Sequence, residues 1–518
     1  MPRPPNVLLI TTDEQRYDTL GITSGGQVKT PNLDALAARG TRFAHGYIQN
    51  PVCIPSRACL MTGRYVHQHG VDYMEDVVND TPGLPPWEVT VMERLQAVGY
   101  RTAGFGKLHM VPPKGLDEMR LTMGKGARWT VSSGSPLGPS QLGPVYAEWL
   151  EQKRPGAYEQ IYAQRRRPEY REQAGAIVNT LAADEYVDYW IGENTWQYLD
   201  RAADTPDRPF FAWCGFCGPH PPYDPPEPYA SVYPIDEMPV PPLLRARQRN
   251  ILRGDRPRRF DREDGEALIR KIIAYYWGMT TFIDDMVGRI MEVMTRRGLW
   301  DNTLVIFTTD HGAMLGDFGQ TGKGNFMEQV IRVPYLVVPP GPSDSSQERS
   351  PQRTYDGLVE HVDLVPTILD YAGIAPPAEL PGWSLRPVLE GHTSDFAPKD
   401  HISCEHGVVQ GDGAIRRLQC LRTTRYKYVF HGSTGSTGSS DTGHGVEFYD
   451  LESDPHELVN VAADPAYADQ VARHAELLID HRLRTESSAW KCGLATTTAQ
   501  PLDPFGLPTG LPTSARSQ

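Results

Sequence analysis

A near-continuous apolar run close to the N-terminus constrains the fold of this chain more than any other segment. Residues 6–12, NVLLITT, carry no charge and lead directly into Asp13 and Glu14. An unbroken run of this kind is typical of a strand that is buried on both faces of a largely parallel sheet. Such sheets bind ligands at the carboxyl ends of their strands, so both acids are candidate metal ligands. The ordinary alternative is a helix-capping or surface pair.

A second strand end repeats this pattern later in the chain. Residues 303–308, TLVIFT, form an apolar, β-branched run, and Asp310 and His311 follow it. Carboxylate oxygens with one imidazole nitrogen suit Ca²⁺, Mg²⁺ or Mn²⁺ better than a thiolate-binding metal. An isolated Asp-His pair is weak evidence, whereas two such strand ends together indicate a site for one divalent cation.

The stretch 53–57, CIPSR, combines a nucleophile with a place for an anion. Cys53 precedes a predicted helix that Ser56 can cap, and the free N–H groups of a first helical turn favour negative charge. Arg57 adds a fixed cation. A buried structural cysteine is the usual explanation of a lone cysteine. A thiolate phosphatase would need an arginine six positions after Cys53, where this chain has Cys59.

Four more polar side chains lie at the ends of predicted strands or in polar loops. Lys107 and His109 close the run YRTAGFGKLHM, and their alternate spacing puts both on one side of an extended segment. His220 lies in the proline-rich segment PHPPYDPP, and Lys323 lies in TGKGN. A lysine or histidine in such a place is more often solvated than catalytic. The spacing Cys-x-x-Cys-x-x-His that ends at His220 is only weak evidence for zinc, because no second ligand pair follows it.

Taken together, these stretches resemble the type I sulfatases of the alkaline phosphatase superfamily, near their branch with the phosphonate monoester hydrolases. The core CIPSR is followed by LMTGR, and the pattern YDLESDPHELVN near the C-terminus also matches. The resemblance implies an α/β fold, with a large mixed β-sheet between helices as in alkaline phosphatase. It also implies a smaller C-terminal α+β domain that contains an antiparallel sheet.

The resemblance further implies a modified cysteine and a metal centre. In that family a formylglycine-generating enzyme, here a transient partner, oxidises the motif cysteine, Cys53, to the aldehyde formylglycine. One divalent cation, Ca²⁺ in preference to Mn²⁺ or Mg²⁺, is implied at a site formed by Asp13, Glu14, Cys53, Asp310 and His311. Glu14 stands where family members more often carry Asp or Gln.

The catalytic residues that the resemblance implies are Cys53, Arg57, Lys107, His109, His220 and Lys323. Lys107 binds the sulfate, and Lys323 contacts both the sulfate and the leaving oxygen. His109 assists the hydrated aldehyde, and His220 protonates the leaving group. Many relatives carry a histidine where this chain has Phe318.

The implied reaction is hydrolysis of sulfate monoesters of the arylsulfatase type, with a small-molecule sulfate ester as the substrate. One hydroxyl of the hydrated formylglycine attacks sulfur, and the other, deprotonated by His109, then expels sulfate. Three alternatives stay open. The same residues serve in phosphonate monoester hydrolases and phosphodiesterases, an unmodified Cys53 would give a metal-dependent thiol hydrolase, and a non-catalytic relative would only bind anions.

Composition narrows the partners and the compartment. The 518 residues carry a formal net charge of −13 and a sequence pI of about 5.6, which argues against binding to nucleic acid. No stretch approaches the roughly 20 apolar residues of a membrane span, and the N-terminus has no signal-peptide core of the usual length. Seven cysteines without framework spacing favour free thiols in a reducing compartment. We therefore expect a cytoplasmic enzyme with no membrane partner.

The chain divides into three regions by its patterns. We expect a catalytic domain over residues 1–380, a C-terminal α+β domain over 381–492, and a tail over 493–518. The tail is Thr- and Pro-rich, which fits either a disordered end or an arm that packs on another subunit of a dimer or tetramer. Residues 110–180 lack periodicity and predict a functional loop or lid. Residues 266–298 predict a long helix whose aromatic side chains pack in the core.

Overall fold

The computed structural model describes residues 3–72, 83–110, 113–122, 124–125, 145–246, 260–341, 353–409, 415–432 and 445–486. The predicted tail over 493–518 lies outside these residues, so its role as an oligomerisation arm stays a prediction. The predicted domain limits at residues 380 and 492 stay predictions as well.

The strands are, in chain order, β1 Asn6–Asp13, β2 Thr41–Tyr47, β3 Arg101–Gly106, β4 Glu118–Leu121, β5 Phe210–Pro219, β6 Thr303–Thr309, β7 Arg332–Val333, β8 Leu336–Val338, β9 Arg353–Glu360, β10 His401–Val409, β11 Ile415–Thr423, β12 Tyr426–His431 and β13 Gly445–Asp450.

The α-helices are α1 Gly21–Ser24, α2 Pro31–Ala38, α3 Cys53–Thr62, α4 Val66–His69, α5 Val91–Gln96, α6 Val145–Lys153, α7 Ala157–Arg165, α8 Pro168–Glu172, α9 Val187–Ala202, α10 Gly265–Arg296, α11 Glu328–Ile331, α12 Leu364–Tyr371, α13 Arg386–Leu389 and α14 Ala468–Thr485. Short 3₁₀ turns connect several of them.

Strand β1 lies near the centre of the larger sheet, between β5 and β6. The strand order across the described residues is β4-β3-β5-β1-β6-β8-β2-β7, and β9 also pairs with β2. Strands β4, β3, β5, β1 and β6 run parallel, whereas β8 is antiparallel to both β6 and β2. The predicted α/β fold with a large mixed sheet is therefore confirmed.

The packing of β1 explains why its sequence is an unbroken apolar run. Leu8 and Ile10 belong to a core that also includes side chains of α2, α9 and α10. Val7 and Leu9 point the other way, into a core formed with α3, α5 and α12. All four are buried. Because helices cover both faces, both sets of alternate side chains in the middle of β1, residues 7–10, are apolar.

The second sheet confirms the predicted C-terminal antiparallel sheet. Strands β10 to β13 pair antiparallel in sequence order. One face packs on the large sheet, with Ile402 among side chains that include Tyr47 and Leu358. Helix α14 packs on other side chains of this sheet through Leu478. Strand β10 thereby reaches the loop before α3, where the Glu405 N–H donates to the Gln49 carbonyl at 2.8 Å.

The expectation of an aperiodic loop over residues 110–180 is wrong for the part that the structure describes. That part holds strand β4 and helices α6, α7 and α8. Each of these helices has nine residues or fewer, and Gly156 and Pro168 separate them. Helices this short repeat an apolar position only once or twice, so the sequence shows no period.

Two observations concern the helices and the cysteines. No helix within the described ranges is long and apolar enough to cross a membrane. The six cysteines that these ranges include are all buried, and all are free thiols. Cys404 and Cys420, for example, lie opposite each other on β10 and β11 with no exposed surface.

The end of helix α3 gives a first testable prediction. Gly63 ends the helix with φ 69°, and a Cβ on it would lie 2.8 Å from the Cβ of Val365. We expect Gly63→Ala to lower the free energy of unfolding by about 3 kcal/mol, because left-handed strain and overpacking add. Gly70 is a matched control, since its φ is 75° but no described heavy atom lies within 4 Å of its Cβ position. Urea unfolding should show a smaller loss for Gly70→Ala, and equal losses would contradict the packing argument.

Candidate active site

Four neighbouring parallel strands deliver the candidate residues to one edge of the large sheet. Strands β3, β5, β1 and β6 are adjacent in that order. Asp13 pairs with Pro219, directly before His220, and Thr12 pairs with Thr309, directly before Asp310. Parallel strands end at the same edge, so residues almost 300 positions apart in the sequence become neighbours.

A buried arginine holds two of these strand ends together. Arg57 has no exposed surface, and its Nε donates to Asp310 Oδ2 at 2.9 Å. Its Nη2 donates to Asp13 Oδ2 at 2.8 Å, and its Nη1 donates to the Lys107 carbonyl at 2.6 Å. Burial alone would lower the pKa of Arg57, but Asp310 and Asp13 raise it above its ordinary value. The guanidinium therefore stays charged and fixes both carboxylates.

Helix α3 begins at Cys53, one residue after the extended Val52. The first intrahelical hydrogen bond runs from the Ser56 N–H to the Val52 carbonyl at 3.0 Å. The prediction that Ser56 caps this helix is therefore wrong, because Ser56 lies within it. Its hydroxyl instead donates to the Asp310 carbonyl at 2.5 Å, which adds a second link between α3 and the end of β6.

The thiol of Cys53 lies among cationic groups. Its Sγ is 2.9 Å from Lys323 Nζ and 3.2 Å from His311 Nε2. Burial would raise the pKa of this thiol, but Lys323, Lys107 and His311 hold it well below its ordinary value. The position thus favours negative charge.

Lys107 and His109 both reach this cluster. Lys107 Nζ lies 2.7 Å from Asp13 Oδ2, and the His109 side chain hydrogen-bonds with Cys53. Burial lowers the pKa of Lys107, but Asp13 and Cys53 raise it above its usual range. The sequence analysis attributed the common direction of these two side chains to an extended segment, and that reason is wrong. Strand β3 ends at Gly106, and His109 has φ 51°, so an alternating extended segment does not orient the two side chains.

His220 lies on the acidic side of the same site. Its Nδ1 is 2.6 Å from the Pro221 carbonyl, which can only accept, so Nδ1 carries the proton of the neutral ring. Its Nε2 lies 3.4 Å from Glu14 Oε2 and 3.9 Å from Asp13 Oδ1. Glu14 Oε2 is also 3.1 Å from Lys323 Nζ. The Glu14 carboxylate therefore lies between the two predicted leaving-group residues.

The acidic residues fit a divalent cation. Two overlapping groups offer ligand atoms within 4.8 Å of one another: Asp13, Cys53, Asp310 and His311, and Asp13, Glu14 and His220. Asp13 Oδ1 is buried and accepts no hydrogen bond from any described residue. A buried carboxylate oxygen without a partner is costly, and a bound cation would satisfy it. The oxygen-rich donor set with one imidazole suits a hard metal ion.

The sequence analysis missed the residues that shape the turn after β1. Glu14 has φ 64°, and the Tyr276 hydroxyl donates to its carbonyl at 2.6 Å. The same hydroxyl accepts from the Arg16 N–H at 2.9 Å. The sequence analysis assigns the aromatic residues of α10 to packing, which for Tyr276 omits the hydrogen bonds of its hydroxyl. The hydroxyl itself could have indicated these bonds, because a buried tyrosine usually needs a hydrogen-bond partner.

Phe318 lies outside this cluster. It is buried in a small apolar group with Leu243 and Val330 and has φ 54°.

A cavity of about 570 Å³, lined by Arg16 and Trp277 among others, includes none of the candidate catalytic residues in its wall. The candidate site is therefore defined by the residues at the strand ends and on α3, and not by this cavity.

A profile of the family described as Sulfatase matches residues 5–374, well over half of the chain. The chain belongs to the sulfatase family. A second profile, described as N-sulphoglucosamine sulphohydrolase, C-terminal, matches residues 316–484. Membership confirms the resemblance seen in the motifs, and it confirms the prediction of a hydrolase that acts on sulfate esters.

This sulfatase is similar to its relatives over nearly its whole length. An arylsulfatase of Clostridium perfringens is 27% identical over 503 residues, which cover 92% of this chain and 94% of the relative. The multifunctional alkaline phosphatase superfamily protein PehA of Trinickia caryophylli is 30% identical over 521 residues, with 92% and 95% covered. The crystal structure of a phosphonate monoester hydrolase of Agrobacterium radiobacter superposes with a TM-score of 0.73 at 24% identity, covering 97% and 99%. That superposition shows that the two share a fold.

The buried arginine of the sulfatase gives a second prediction. We expect Arg57→Lys to lower the free energy of unfolding by about 3 kcal/mol or more, because a single ammonium cannot reach both carboxylates and leaves one buried and unpaired. Arg425→Lys is the control, since Arg425 also makes a two-point contact with one carboxylate, that of Asp450, but is half exposed. Urea unfolding should show little change for the control. Equal sensitivity of the two sites would contradict the assigned role of Arg57.

Proposed function

We propose that this sulfatase cleaves sulfate monoesters, using formylglycine made from Cys53 as its nucleophile and one divalent cation. The observation that carries this proposal is the surroundings of Cys53 Sγ, which lies 2.9 Å from Lys323 Nζ and 3.2 Å from His311 Nε2. A cysteine kept only for packing would have apolar neighbours. This one starts a helix and lies against a lysine and a candidate metal ligand.

Positive charge is the first requirement of the reaction. A sulfate ester resists attack because its oxygens are negatively charged, so the site must stabilise further negative charge in the transition state. Lys107 and Lys323 are the cations that we assign to the sulfate oxygens. Arg57 has a different role, because all its described partners are Asp13, Asp310 and backbone carbonyls. It acts on the site by fixing the two acids.

The metal ligands that we propose are Asp13, Asp310, His311 and residue 53, with Glu14 as a further oxygen donor. A bound ion would supply positive charge to the sulfate oxygens as a Lewis acid. The oxygen-rich donor set supports Ca²⁺ ahead of Mn²⁺ or Mg²⁺. Asp13 Oδ1, buried without a hydrogen bond from any described group, supports its place as a ligand.

The modified residue and two histidines account for bond breaking. Hydrated formylglycine supplies one hydroxyl that attacks sulfur and a second that later allows sulfate to leave, which an unmodified Cys53 lacks. His109 hydrogen-bonds at position 53 and takes the proton of that second hydroxyl. As the imidazolium, with Nδ1–H donating to the Pro221 carbonyl, His220 gives its Nε2 proton to the departing oxygen and is left as the neutral ring. Lys323, whose Nζ lies 2.9 Å from Cys53 Sγ, is the second candidate donor to the same oxygen.

The second candidate function is hydrolysis of phosphonate monoesters or phosphodiesters with the same residues. The likeness to a phosphonate monoester hydrolase over 97% of this chain and 99% of that one favours it, although that likeness concerns the fold. A tetrahedral phosphorus centre with negatively charged oxygens needs the same cations. The difference between the two functions lies in the net charge and substituents that the site tolerates.

Activity on matched esters separates the two functions. The panel is an aryl sulfate, an aryl phosphonate monoester and an aryl phosphodiester of the same phenol, tested on protein with confirmed modification at position 53. Our proposal expects the largest kcat/KM for the sulfate. A larger kcat/KM for the phosphonate or the diester would replace the proposal with the second candidate.

The modification itself is a third prediction. We expect active protein to carry formylglycine at position 53, which mass spectrometry of the tryptic peptide 43–57 would detect. Cys53→Ala should abolish turnover and leave the thermal unfolding midpoint nearly unchanged, because the side chain is small. Full activity in protein whose Cys53 thiol is intact would contradict the proposal.

A fourth prediction concerns the metal. Asp310→Asn and Asp13→Asn should each lower the bound divalent metal, measured by elemental analysis, together with kcat. Asp317→Asn is a control on the same loop, because Asp317 contacts Arg16 instead of the site. It should keep the metal. If metal content in both Asp310→Asn and Asp13→Asn matched the unaltered protein, the proposed ligand set would be wrong.

A fifth prediction separates proton transfer from charge stabilisation. His220→Ala should lower kcat/KM by about 10²–10⁴ on sulfates of weakly acidic phenols, where general acid catalysis matters most. The loss should shrink on very acidic phenols, which leave as anions unaided. Lys107→Ala should lose a similar factor on every phenol, because binding of the sulfate serves all of them. An unchanged slope of log kcat/KM against phenol pKa in His220→Ala would leave Lys323 as the acid.

Two further proposals concern the compartment and the assembly. The buried free thiols of the described cysteines support our expectation of a reducing, cytoplasmic compartment. A homo-oligomer, a dimer or tetramer, stays our expectation for the assembly. Sedimentation of the full chain and of a chain that ends at residue 492 would test the tail as its arm.

A further inference from the structure

The orientation of His220 depends on the backbone that follows it. Its Nδ1 donates to the Pro221 carbonyl at 2.6 Å, and this contact directs Nε2 toward Glu14. A shift of that carbonyl would turn the ring away. The segment 219–226 therefore decides where the proton of Nε2 is held.

This segment cannot hold itself in place through its own backbone donors. Five of the eight residues in PHPPYDPP are prolines, which have no N–H group. Their carbonyl oxygens still need donors once they are buried. Those donors must come from other parts of the chain.

Apart from His220 Nδ1, which donates to the Pro221 carbonyl, and the Ala230 N–H, which donates to the Pro226 carbonyl, three described donors come from the region between β3 and α9. They are Lys125 Nζ to the Pro222 carbonyl at 2.8 Å, Ile177 N–H to the Tyr223 carbonyl at 3.2 Å, and Asn179 N–H to the Pro225 carbonyl at 3.1 Å. The sequence predicts a functional loop or lid over residues 110–180. Described residues between β3 and α9, 124–125 and 145–186, form instead a brace along one side of the segment that carries His220.

Asp224 joins the brace to the segment. Its carboxylate accepts from Tyr186 Oη at 2.9 Å, Asn179 Nδ2 at 3.0 Å and Arg165 Nη2 at 3.2 Å. Lys125 Nζ lies 3.9 Å from Asp224 Oδ1, the oxygen that Tyr186 also contacts. Asp224 is only 1% exposed, and the side chains around it are buried as well. A charged group placed so deeply is held in one position by its partners.

We propose that Asp224 and Lys125 are positioning residues that hold His220 in the orientation in which it protonates the leaving group. Asp224 accepts hydrogen bonds from three residues of the brace, Arg165, Asn179 and Tyr186. Lys125 donates directly to the Pro222 carbonyl, next to the Pro221 carbonyl that holds His220. This inference rests on the proposed role of His220 as the general acid. Neither residue touches the substrate.

A positioning role has a kinetic signature that a purely structural role lacks. A displacement of a catalytic group by about 1 Å can cost about 10²-fold in rate. If the displaced group is the general acid, that loss falls mainly on poor leaving groups. A general loss of folding would lower the rate on every substrate by the same factor.

The test uses Asp224→Asn, which keeps the size and removes the charge, and Lys125→Met, which keeps an unbranched side chain and removes the donor. Asp284→Asn is the control. Asp284 is also a buried aspartate, but it accepts hydrogen bonds from the Asn32 and Leu33 N–H groups of α2, which are far from His220 in the sequence. Each variant is measured for kcat/KM on sulfates of graded phenols and for its thermal midpoint.

We expect Asp224→Asn and Lys125→Met to lose about 10²-fold on weakly acidic phenols and much less on very acidic ones. Asp284→Asn should lower the thermal midpoint without a change of slope. Adding Asp224→Asn to His220→Ala should not steepen the slope further, since both changes remove the same proton transfer. If Asp224→Asn does not fold, Lys125→Met carries the same test.

Two results would overturn the inference in different ways. If His220→Ala steepens the slope but Asp224→Asn and Lys125→Met lose activity equally on all phenols, the brace is structural only and the acid role of His220 stands. If His220→Ala leaves the slope unchanged, the proposed acid is wrong and the positioning role falls with it.

Discussion

The buried guanidinium of Arg57 ties together parts of the chain that are far apart in the sequence. It links α3 to the ends of β1 and β6 through Asp13 and Asp310, and to the end of β3 through the Lys107 carbonyl. Burying three charges costs several kcal/mol per ion, and only a matched geometry offsets that cost. The planar, forked donor of an arginine meets two carboxylates at once, which a lysine cannot do. This contact fixes α3, and with it Cys53, relative to the acidic strand ends.

The carboxylate, lysine and arginine charges of the site balance formally before any ion binds. Three acids face three permanent cations: Asp13, Glu14 and Asp310 against Arg57, Lys107 and Lys323. A divalent ion would therefore give the cluster a net positive charge, which an anionic ester needs. The same balance explains how so many charged side chains can be buried at one edge of a sheet. Metal binding, in this view, is what turns a neutral salt-bridge network into a site for anions.

The sequence predicted the parts of this protein that follow from local pattern. The run 6–12 indicated a doubly covered strand, and the motif 53–57 indicated a helix start next to Cys53, because neither depends on distant residues. The cap assigned to Ser56 was wrong, since the start of a helix depends on the backbone angles of the residue before it. Tyr276 and Asp224 went unnoticed, because a hydrogen bond between distant segments leaves no period or spacing in a sequence. Only the folded chain shows which buried hydroxyl or carboxylate meets which carbonyl.

The central claim is that the acids fixed by Arg57 hold one divalent ion beside residue 53. Anomalous diffraction from crystals grown with Mn²⁺ tests it most directly, because it locates the ion without reference to activity. The account predicts one strong peak within coordination distance of Asp13 and Asp310 oxygens, about 2.0–2.6 Å for hard cations, and next to residue 53. A crystal with no peak there, or with its strongest peak among other residues, would contradict it.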